Sequence, residues 1–138
     1  MNDSLDSIRH WLAGFAQAVR DRDYGAGRRM FDPAVVGFGT VAGRADGLDE
    51  LVDHQWKHIW DNTEGFDFEY DQLHGEIADD IAWVAVPWSS CRAVAGREPV
   101  VRTGRSTIIL RKTKGDWRAC HTHFSRTPTE TGSDDIQK

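Results

Sequence analysis

Apolar residues recur at helical spacing over the first twenty positions of the chain. Asp3 and Ser4 are good N-cap residues, and Asp6 places a negative charge in the first turn. The pattern predicts an amphipathic helix that ends at residues 20–23, followed by a short second helix over residues 24–30. One stripe of the first helix carries its apolar side chains, namely Leu5, Ile8, Leu12, Phe15, Ala16 and Val19.

A strand and a further helix are predicted in the middle of the chain. Pro33 disfavours helical geometry at Asp32, so residues 31–34 are expected to form a turn. Residues 35–41 read as a strand interrupted by glycines, which often mark a bend or a close approach. Residues 46–60 then predict a helix whose inner face carries Leu48, Leu51, Val52, Trp56 and Ile59.

The second half of the chain is rich in strand-forming runs separated by turn residues. Four strands are predicted, at about residues 66–73, 81–94, 100–112 and 116–126. Turn signals lie between them at residues 79–80, Gly96 and residues 114–115. Because helices come first and antiparallel strands follow, the sequence predicts an α+β fold with helices packed on one face of a long, bent sheet.

Composition adds limits on the class of protein. The 138 residues are expected to form one domain over residues 1–127, with a polar, flexible tail over residues 128–138. Six Trp and six Phe favour a wide core or an apolar cavity. The net charge of −5 argues against a nucleic-acid partner. We expect no membrane partner and a cytoplasmic location, since neither a secretory leader nor a membrane-length apolar run is present.

The closing hairpin carries the most specific motif, Lys114-Gly-Asp-Trp-(x3)-His-Thr-His-Phe-Ser125. Strand side chains alternate, so His121 and His123 share one face of the second strand. The opposite face is expected to carry Cys120, Thr122 and Phe124. With residues 114–115 at the tip, this predicts a β-hairpin that closes the sheet.

The hairpin register follows from the position of its tip. If residues 114–115 form the turn, Thr122 lies opposite Thr107, and Phe124 lies opposite Arg105. Residues directly opposite each other in neighbouring strands point to the same face. We therefore expect Thr107 and Arg105 on the face that carries Thr122 and Phe124.

These motifs resemble the nuclear transport factor 2-like superfamily and, within it, the SnoaL-like branch. Phe31-Asp-Pro, the run Val-Gly-Phe-Gly-Thr and the helix ending Ile59-Trp60 carry the resemblance together with the hairpin. The hairpin is similar to the last strands of the calcium/calmodulin-dependent kinase II association domain, and the resemblance covers residues 4–127. It implies a cone-shaped fold, in which N-terminal helices pack on a strongly curved, mostly antiparallel sheet that encloses a cavity, and usually a dimer.

Ketosteroid isomerase shares the implied fold, but its catalytic pattern is not reproduced. That chemistry needs a carboxylate base, a tyrosine and a protonated acid. The matching positions hold Phe15, Gly37 (or its neighbour Phe38) and Thr107, none of which can do these tasks. A cyclase would also need a cavity acid, whereas Asp32 is typical of local turn capping. Whether the protein is an enzyme therefore stays open, and no catalytic residue is assigned.

Other chemical sites are weighed and set aside. His121 and His123 are a partial ligand set, and His54 and His58 lie one helical turn apart, but nothing brings the two pairs together. We expect structural or interface histidines, no metal and no cofactor. Cys120 and the adjacent His121 face opposite ways, so they do not form a nucleophile and base.

The main functional hypothesis is a SnoaL-like domain that binds or transforms a small hydrophobic organic molecule in an apolar cavity. The alternative for each aromatic residue is that it simply fills a core. The orientation implied by the resemblance gives a cavity lined by Phe15, Phe38, Trp56, Trp60, Trp83, Ala85, Arg105, Thr107, Cys120, Thr122 and Phe124.

A second hypothesis is a non-catalytic association module similar to the kinase hub domain. Hub domains line their cavity with arginines, but the matching positions here hold Ala85, Ile108 and Phe124, and Arg105 could replace them only in part. In both hypotheses we expect a homodimer through the outer face of the sheet, to which Trp117, Ala119, His121 and His123 would contribute.

Overall fold

The computed structural model describes residues 3–128, with side chains from residue 5. Two helices open the chain, α1 over Asp3–Asp21 and α2 over Tyr24–Arg29, as the apolar spacing predicted. Asp23 caps α2, because its carboxylate accepts a hydrogen bond from the backbone N–H of Ala26 at 3.0 Å. Of the predicted tail, residues 129–138 lie outside the described part of the chain.

A composite helix spans the region predicted as one helix over residues 46–60. Helix α3, Leu48–Leu51, passes into a π-helical turn over Val52–Trp56. Helix α4, Lys57–Ile59, follows and ends in a 3₁₀ turn over Trp60–Asn62. A π turn inserts an extra residue into the helix and is found often at functional sites. Here its residues Val52, Gln55 and Trp56 are buried.

Seven strands form one sheet in the order β2-β1-β7-β6-β5-β3, with β4 paired to β5. Strands β1 and β7 run parallel, and the other described pairs are antiparallel. The strands are β1 Phe31–Phe38, β2 Ala45–Asp46, β3 Thr63–Phe68, β4 His74–Ala78, β5 Ile81–Arg92, β6 Val100–Thr113 and β7 Asp116–Arg126. The curved sheet wraps over the helices, which confirms the predicted α+β cone.

The edges of the sheet differ from the sequence prediction. Strand β1 starts at Phe31, where a turn was expected, although Asp32 does cap locally by accepting from the Ala34 N–H at 2.8 Å. Strand β3 stops at Phe68, and the separate strand β4 follows a 3₁₀ turn. Strand β4 was missed because Ile77 is its one large apolar residue, so its alternation is weak.

The sheet has an inner face, which packs on the helices, and an outer face. In β5 the inner side chains are buried, from Ala82 through Trp88 to Ser90, and the alternate residues are more exposed. Strand β6 alternates in the same way, with Ser106, Ile108 and Leu110 buried on the inner face. Because β5 pairs with β6 in regular register, each inner residue lies beside another inner residue.

A β-bulge at Cys120 changes the register of the closing hairpin. From the tip to Leu110 and Ala119 the pairing is the predicted one, but beyond the bulge Thr122 pairs with Ile108 and Phe124 with Ser106. The predicted partners Thr107 and Arg105 were therefore wrong by one residue. A one-residue shift moves a side chain to the other face of the sheet.

The same bulge corrects the predicted outer face of β7. Ala119 pairs with the inner residue Leu110 and is fully buried. Trp117 lies two residues before it and packs against the core, with the Lys112 ammonium 5.3 Å from its ring centre. His121 and His123 remain on the outer face, whereas Trp117 and Ala119 do not.

Candidate functional site

A cavity of about 70 Å³ lies between the helices and the inner face of the sheet. Its closed end is lined by six buried aromatic rings, those of Phe15, Phe31, Trp56, Trp60, Phe66 and Trp88. Phe15 is central, with ring centres 5.3 Å from Phe31 and 5.8 Å from Trp56. Aromatic rings at these separations attract one another beyond the apolar area they bury. The closed end is therefore a tightly packed wall.

Two glycines let the tryptophans of the closed end take their places. Trp56 and Trp60 stack with ring centres 4.5 Å apart, and a Cβ added at Gly27 would lie 2.8 Å from Trp60. Trp88 lies across β6 at Gly104, where an added Cβ would clash with the indole ring. Because only glycine leaves this space, α2 and β6 can approach the large rings closely.

The mouth of the cavity is lined by half-exposed residues and one buried amide. Strand β5 ends here, β6 begins here, and the parallel strands β1 and β7 both end here. The aromatic wall of the closed end gives way to polar atoms at this end of the cone. The mouth residues are Phe38, Gly39, Thr40, Gln55, Ile59, Arg102 and Phe124.

Gln55 ties the loop after β1 to the π turn. Its Oε1 accepts hydrogen bonds from the backbone N–H groups of Val41 at 2.9 Å and Ala42 at 2.7 Å. Its Nε2 donates to Thr40 Oγ1 at 3.0 Å. Gly39 allows this contact, because an added Cβ would lie 2.5 Å from the Gln55 amide. Gln55 was missed from the sequence, although a polar residue four positions after Leu51 on an apolar helix face was a signal.

Arg102 is the charged residue of the cavity lining, and it was also missed. It pairs with Ser90, which is buried on the inner face, so its side chain lies on that face at the mouth. Burial lowers the pKa of the Arg102 guanidinium, and repulsion from Arg126 and Arg92 adds to the effect. Because side chains alternate along β6, knowing that Ile108 faces inward would have predicted that Arg102 does so too.

The remaining polar groups of the lining are hydroxyls. Thr122 is 3% exposed and Thr63 is 6% exposed. The Thr63 hydroxyl donates to the carbonyl of Ile59 at 2.7 Å, so it is engaged by the composite helix. The lining described here contains no Asp, Glu, His, Cys, Tyr or Lys side chain. Its polar atoms can form hydrogen bonds, but they offer no group that titrates near neutral pH.

The structure brings six of the eleven sequence-predicted cavity residues together at the cavity. These are Phe15, Phe38, Trp56, Trp60, Thr122 and Phe124. Phe38 lies at the rim, since its ring centre is 5.0 Å from that of His121 and 5.4 Å from that of His123 on the outer face. Thr122 and Phe124 line the cavity, which is the position that the resemblance implied for their face of β7.

The other five predicted residues lie away from the cavity. Trp83 and Ala85 pair with Ile109 and Thr107 on the outer face, where Trp83 is 40% exposed. Arg105 is also exposed, and its guanidinium donates to Ser125 Oγ at 3.1 Å. Arg105 was expected to face inward from a register without the bulge, and Trp83 and Ala85 were expected to do so from the family resemblance. All three lie on the outer face. On β5 and β6 the residues on the inner face are those directly before and after these residues along each strand.

Cys120 is the extra residue of the bulge rather than a lining residue. Its thiol is half-buried and donates to the carbonyl of Ile109 at 3.5 Å. Burial raises the pKa of this thiol. A raised pKa leaves less thiolate at neutral pH, so Cys120 is poorly suited to act as a nucleophile.

The histidines make structural contacts. His121 Nδ1 lies 2.7 Å from the carbonyl oxygen of Val36 and links β7 to β1. His54 and His58 are exposed on the composite helix, away from the strand histidines. Within residues 3–128, no three His, Cys, Asp or Glu side chains cluster in a way that could hold a metal ion.

The three positions that match the isomerase pattern carry no catalytic group in this setting. Phe15 is in the closed end of the cavity, and Thr107 is exposed on the outer face. Gly37 is packed so closely that an added Cβ would lie 2.8 Å from Leu51 and 3.2 Å from Thr122 Oγ1. A side chain at this position would have to displace the side chain of Leu51.

A protein-family model described as a SnoaL-like domain matches residues 8–130 of the chain. No curated protein matches it. In the part of the chain that the structure describes, no helix is both long enough and apolar enough to cross a membrane.

Solved structures share the fold over nearly the whole chain. An NTF2-like protein of unknown function from Pseudomonas putida KT2440 is 25% identical, with 96% of this chain and 94% of that chain covered and a TM-score of 0.75. A proposed dehydratase of the NTF2-like family from Streptomyces avermitilis is 17% identical, with coverage of 94% and 100% and a TM-score of 0.78. A proposed calcium/calmodulin-dependent protein kinase II association domain from Xanthomonas campestris is 16% identical, with coverage of 91% and 86% and a TM-score of 0.71.

Proposed function

We propose that this chain, which belongs to the SnoaL-like domain family, binds a small organic molecule in its aromatic cavity. The observation that carries the proposal is the cavity itself, with a closed end of aromatic rings and a mouth of polar groups. Apolar pockets with a few polar groups that orient the ligand are typical of small-molecule sites. A fold shared with such different proteins does not by itself name an activity.

The size of the cavity favours a compact ligand. Its volume is about 70 Å³, and a single water needs roughly 10–15 Å³ of such space. There is room for about five to seven water-sized groups, which is about half of the roughly 150 Å³ that encloses a benzene ring. A short branched chain fits this space, and an aromatic ring would also occupy the open mouth. Larger molecules would need the rings of the closed end to move, at a cost in packing.

The chemistry of the lining favours binding over proton transfer. General acid–base catalysis needs a group with a pKa near the working pH. Among the described lining residues, the polar groups are hydroxyls, the Gln55 amide and the Arg102 guanidinium. These groups can hold and orient a ligand. We therefore favour a binding domain over an enzyme of the isomerase type.

A thermal-shift panel of single-ring compounds tests the proposal. Indole, benzyl alcohol, benzamide and benzoate would be titrated, and a compound that binds raises the melting temperature with the logarithm of its concentration. Thr122→Met should fill the cavity and weaken binding at least tenfold. Thr107→Met, on the outer face, is the matched control and should bind as the unmodified protein does. If no compound raises the melting temperature, the proposal fails.

We also propose that two copies associate through the outer face of the sheet. Its exposed apolar residues support this, since Ile81 is 37% and Trp83 is 40% exposed. His121 and His123 lie on the same face, on the far side of β6. Trp83 is thus the tryptophan exposed on the outer face, a role that the sequence analysis gave to Trp117. The cytoplasmic location expected from the sequence stays a prediction.

Light scattering tests the association. The unmodified chain should have twice the mass of one chain, and Trp83→Glu should reduce it to one. Val41→Glu is the matched control, because Val41 is 53% exposed on the loop after β1, and it should keep the doubled mass. A single-chain mass for the unmodified protein would contradict this proposal.

A further inference from the structure

Three arginines lie together on the inner face of the sheet at the mouth of the cavity. Arg102 pairs with Ser90, and Arg126 pairs with Gly104. Ser90 and Gly104 are buried on the inner face. Arg92 lies two residues after Ser90 and pairs with Thr63, another cavity residue. Residues that pair directly point to the same face, so three adjacent strands bring these guanidinium groups to one place.

This arginine cluster (Arg92, Arg102 and Arg126) forms no ion pair with a described carboxylate, although the exposed Glu98 lies on the connection between β5 and β6 at this end. None of the three takes part in an ion pair among residues 3–128, whereas Arg28 and Arg44 do so elsewhere. Glu64, at the same end of the sheet, pairs with Cys91, which belongs to the outer set of β5. The three positive charges therefore act together on whatever occupies the mouth.

The energetics of the cluster favour a bound anion. Arg102 is half-buried, and both desolvation and its two neighbours oppose its positive charge. A partly buried charge without a partner is unfavourable, and an anion that pairs with it relieves that cost. A guanidinium matches the two oxygens of a carboxylate with two parallel hydrogen bonds.

We propose that the ligand of this cavity is a small aromatic or branched monocarboxylate, whose apolar body enters the closed end and whose carboxylate binds Arg102. Arg92 and Arg126, which are exposed at the mouth, attract the anion and strengthen its binding. This inference rests on the proposed function, because it names the class of molecule that the cavity takes. The volume of the cavity limits the size of the apolar part of the ligand, and the arginine cluster selects a negatively charged group.

The test compares benzoate with benzamide, which has nearly the same shape and no charge, by calorimetry on the full chain. Benzoate should bind at least tenfold more tightly at low salt, and this preference should fall as salt is added. Arg102→Gln should remove the preference, because it should weaken the binding of benzoate at least tenfold more than the binding of benzamide. Arg105→Gln is the matched control, since Arg105 lies on the outer face and bonds to Ser125; it should keep the preference.

Each outcome separates this inference from the proposed function. If benzamide binds as tightly as benzoate, the carboxylate assignment is overturned while ligand binding stands. If neither compound nor the rest of the panel binds, the proposed function fails, and this inference fails with it. If inorganic phosphate alone stabilises the protein as much as benzoate does, the cluster is a general anion site and the assignment is overturned.

A second variant keeps the proposal testable if Arg102→Gln does not fold. Arg126→Gln alters an exposed residue and should reduce the preference for benzoate by about threefold, since it weakens the field at the mouth without removing the bidentate partner. An unchanged preference in Arg126→Gln would overturn the role of the cluster.

Discussion

The closed end and the mouth of the cavity are built from the same helices and sheet, but by different physical chemistry. At the closed end, large rings are buried and touch one another, so the apolar area removed from water stabilises the fold. At the mouth the residues are polar: the Gln55 amide bonds to the loop after β1, and Arg102 lies at the open end of the cone. The closed end therefore contributes most to stability, whereas the choice of ligand in our proposal depends on the mouth.

The largest expected effect comes from breaking the closed end. Phe15→Ala should lower the free energy of unfolding by about 3–5 kcal/mol, because it leaves a void among packed rings. Urea denaturation measures this loss. Phe38→Ala is the matched control at the mouth, and we expect it to lower the free energy by less than half as much, because Phe38 is half-exposed. Equal losses from the two variants would break the comparison.

A smaller effect is expected from the Gln55 amide. Gln55→Ala removes three hydrogen bonds to the loop after β1 and should lower the free energy of unfolding by about 1–3 kcal/mol. The amide protons of Val41 and Ala42 should then exchange faster with solvent. Gln17→Ala, on the exposed side of α1, is the control and should change neither quantity. Unaltered exchange at both amides would show that Gln55 does not hold the loop.

The smallest effect concerns pH. Burial and the hydrogen bond to Asp61 raise the pKa of Tyr24, whose ring stacks on Trp60 behind the closed end, from its ordinary value near 10 to about 12. The folded state thus keeps a proton that the unfolded state loses. The stabilisation is complete below pH 10 and is lost as the pH rises toward 12.

Tyr24→Phe keeps the stacked ring and removes the titrating hydroxyl. Its free energy of unfolding should fall less steeply between pH 10 and 12 than that of the unmodified protein. Burial and a hydrogen bond to Asp67 also raise the pKa of Tyr70, so Tyr70→Phe is the comparison variant and should remove a separate part of the slope. Identical pH profiles for Tyr24→Phe and the unmodified chain would contradict the assignment.

Prediction from sequence worked best where one pattern was long and regular. The stripe on α1 placed Phe15 correctly in the interior, because helical spacing leaves little choice of face. The alternation of β7 placed Thr122 and Phe124 on one face, and the family resemblance implied that this face lines the cavity, where both residues lie. The class of fold followed from the order of these elements.

Prediction failed where one residue changed the period. The bulge at Cys120 shifts β7 relative to β6, and Thr107 and Arg105 therefore lie on the outer face. The bulge has no residue signature that stands out in this chain. It depends on how the strand must bend to fit its neighbours, which local spacing does not report.

The amino-acid sequence by itself determined most of the helices and strands, the α+β class and the aromatic content that fills the closed end. These properties depend on periodicity and composition, which act locally along the chain. Only the tertiary structure decided which alternate set of β5 and β6 faces inward, and so placed Arg102 rather than Arg105 at the cavity. The physical reason is that a strand has two equivalent faces until its register with a neighbour is set, and here a single bulge sets it.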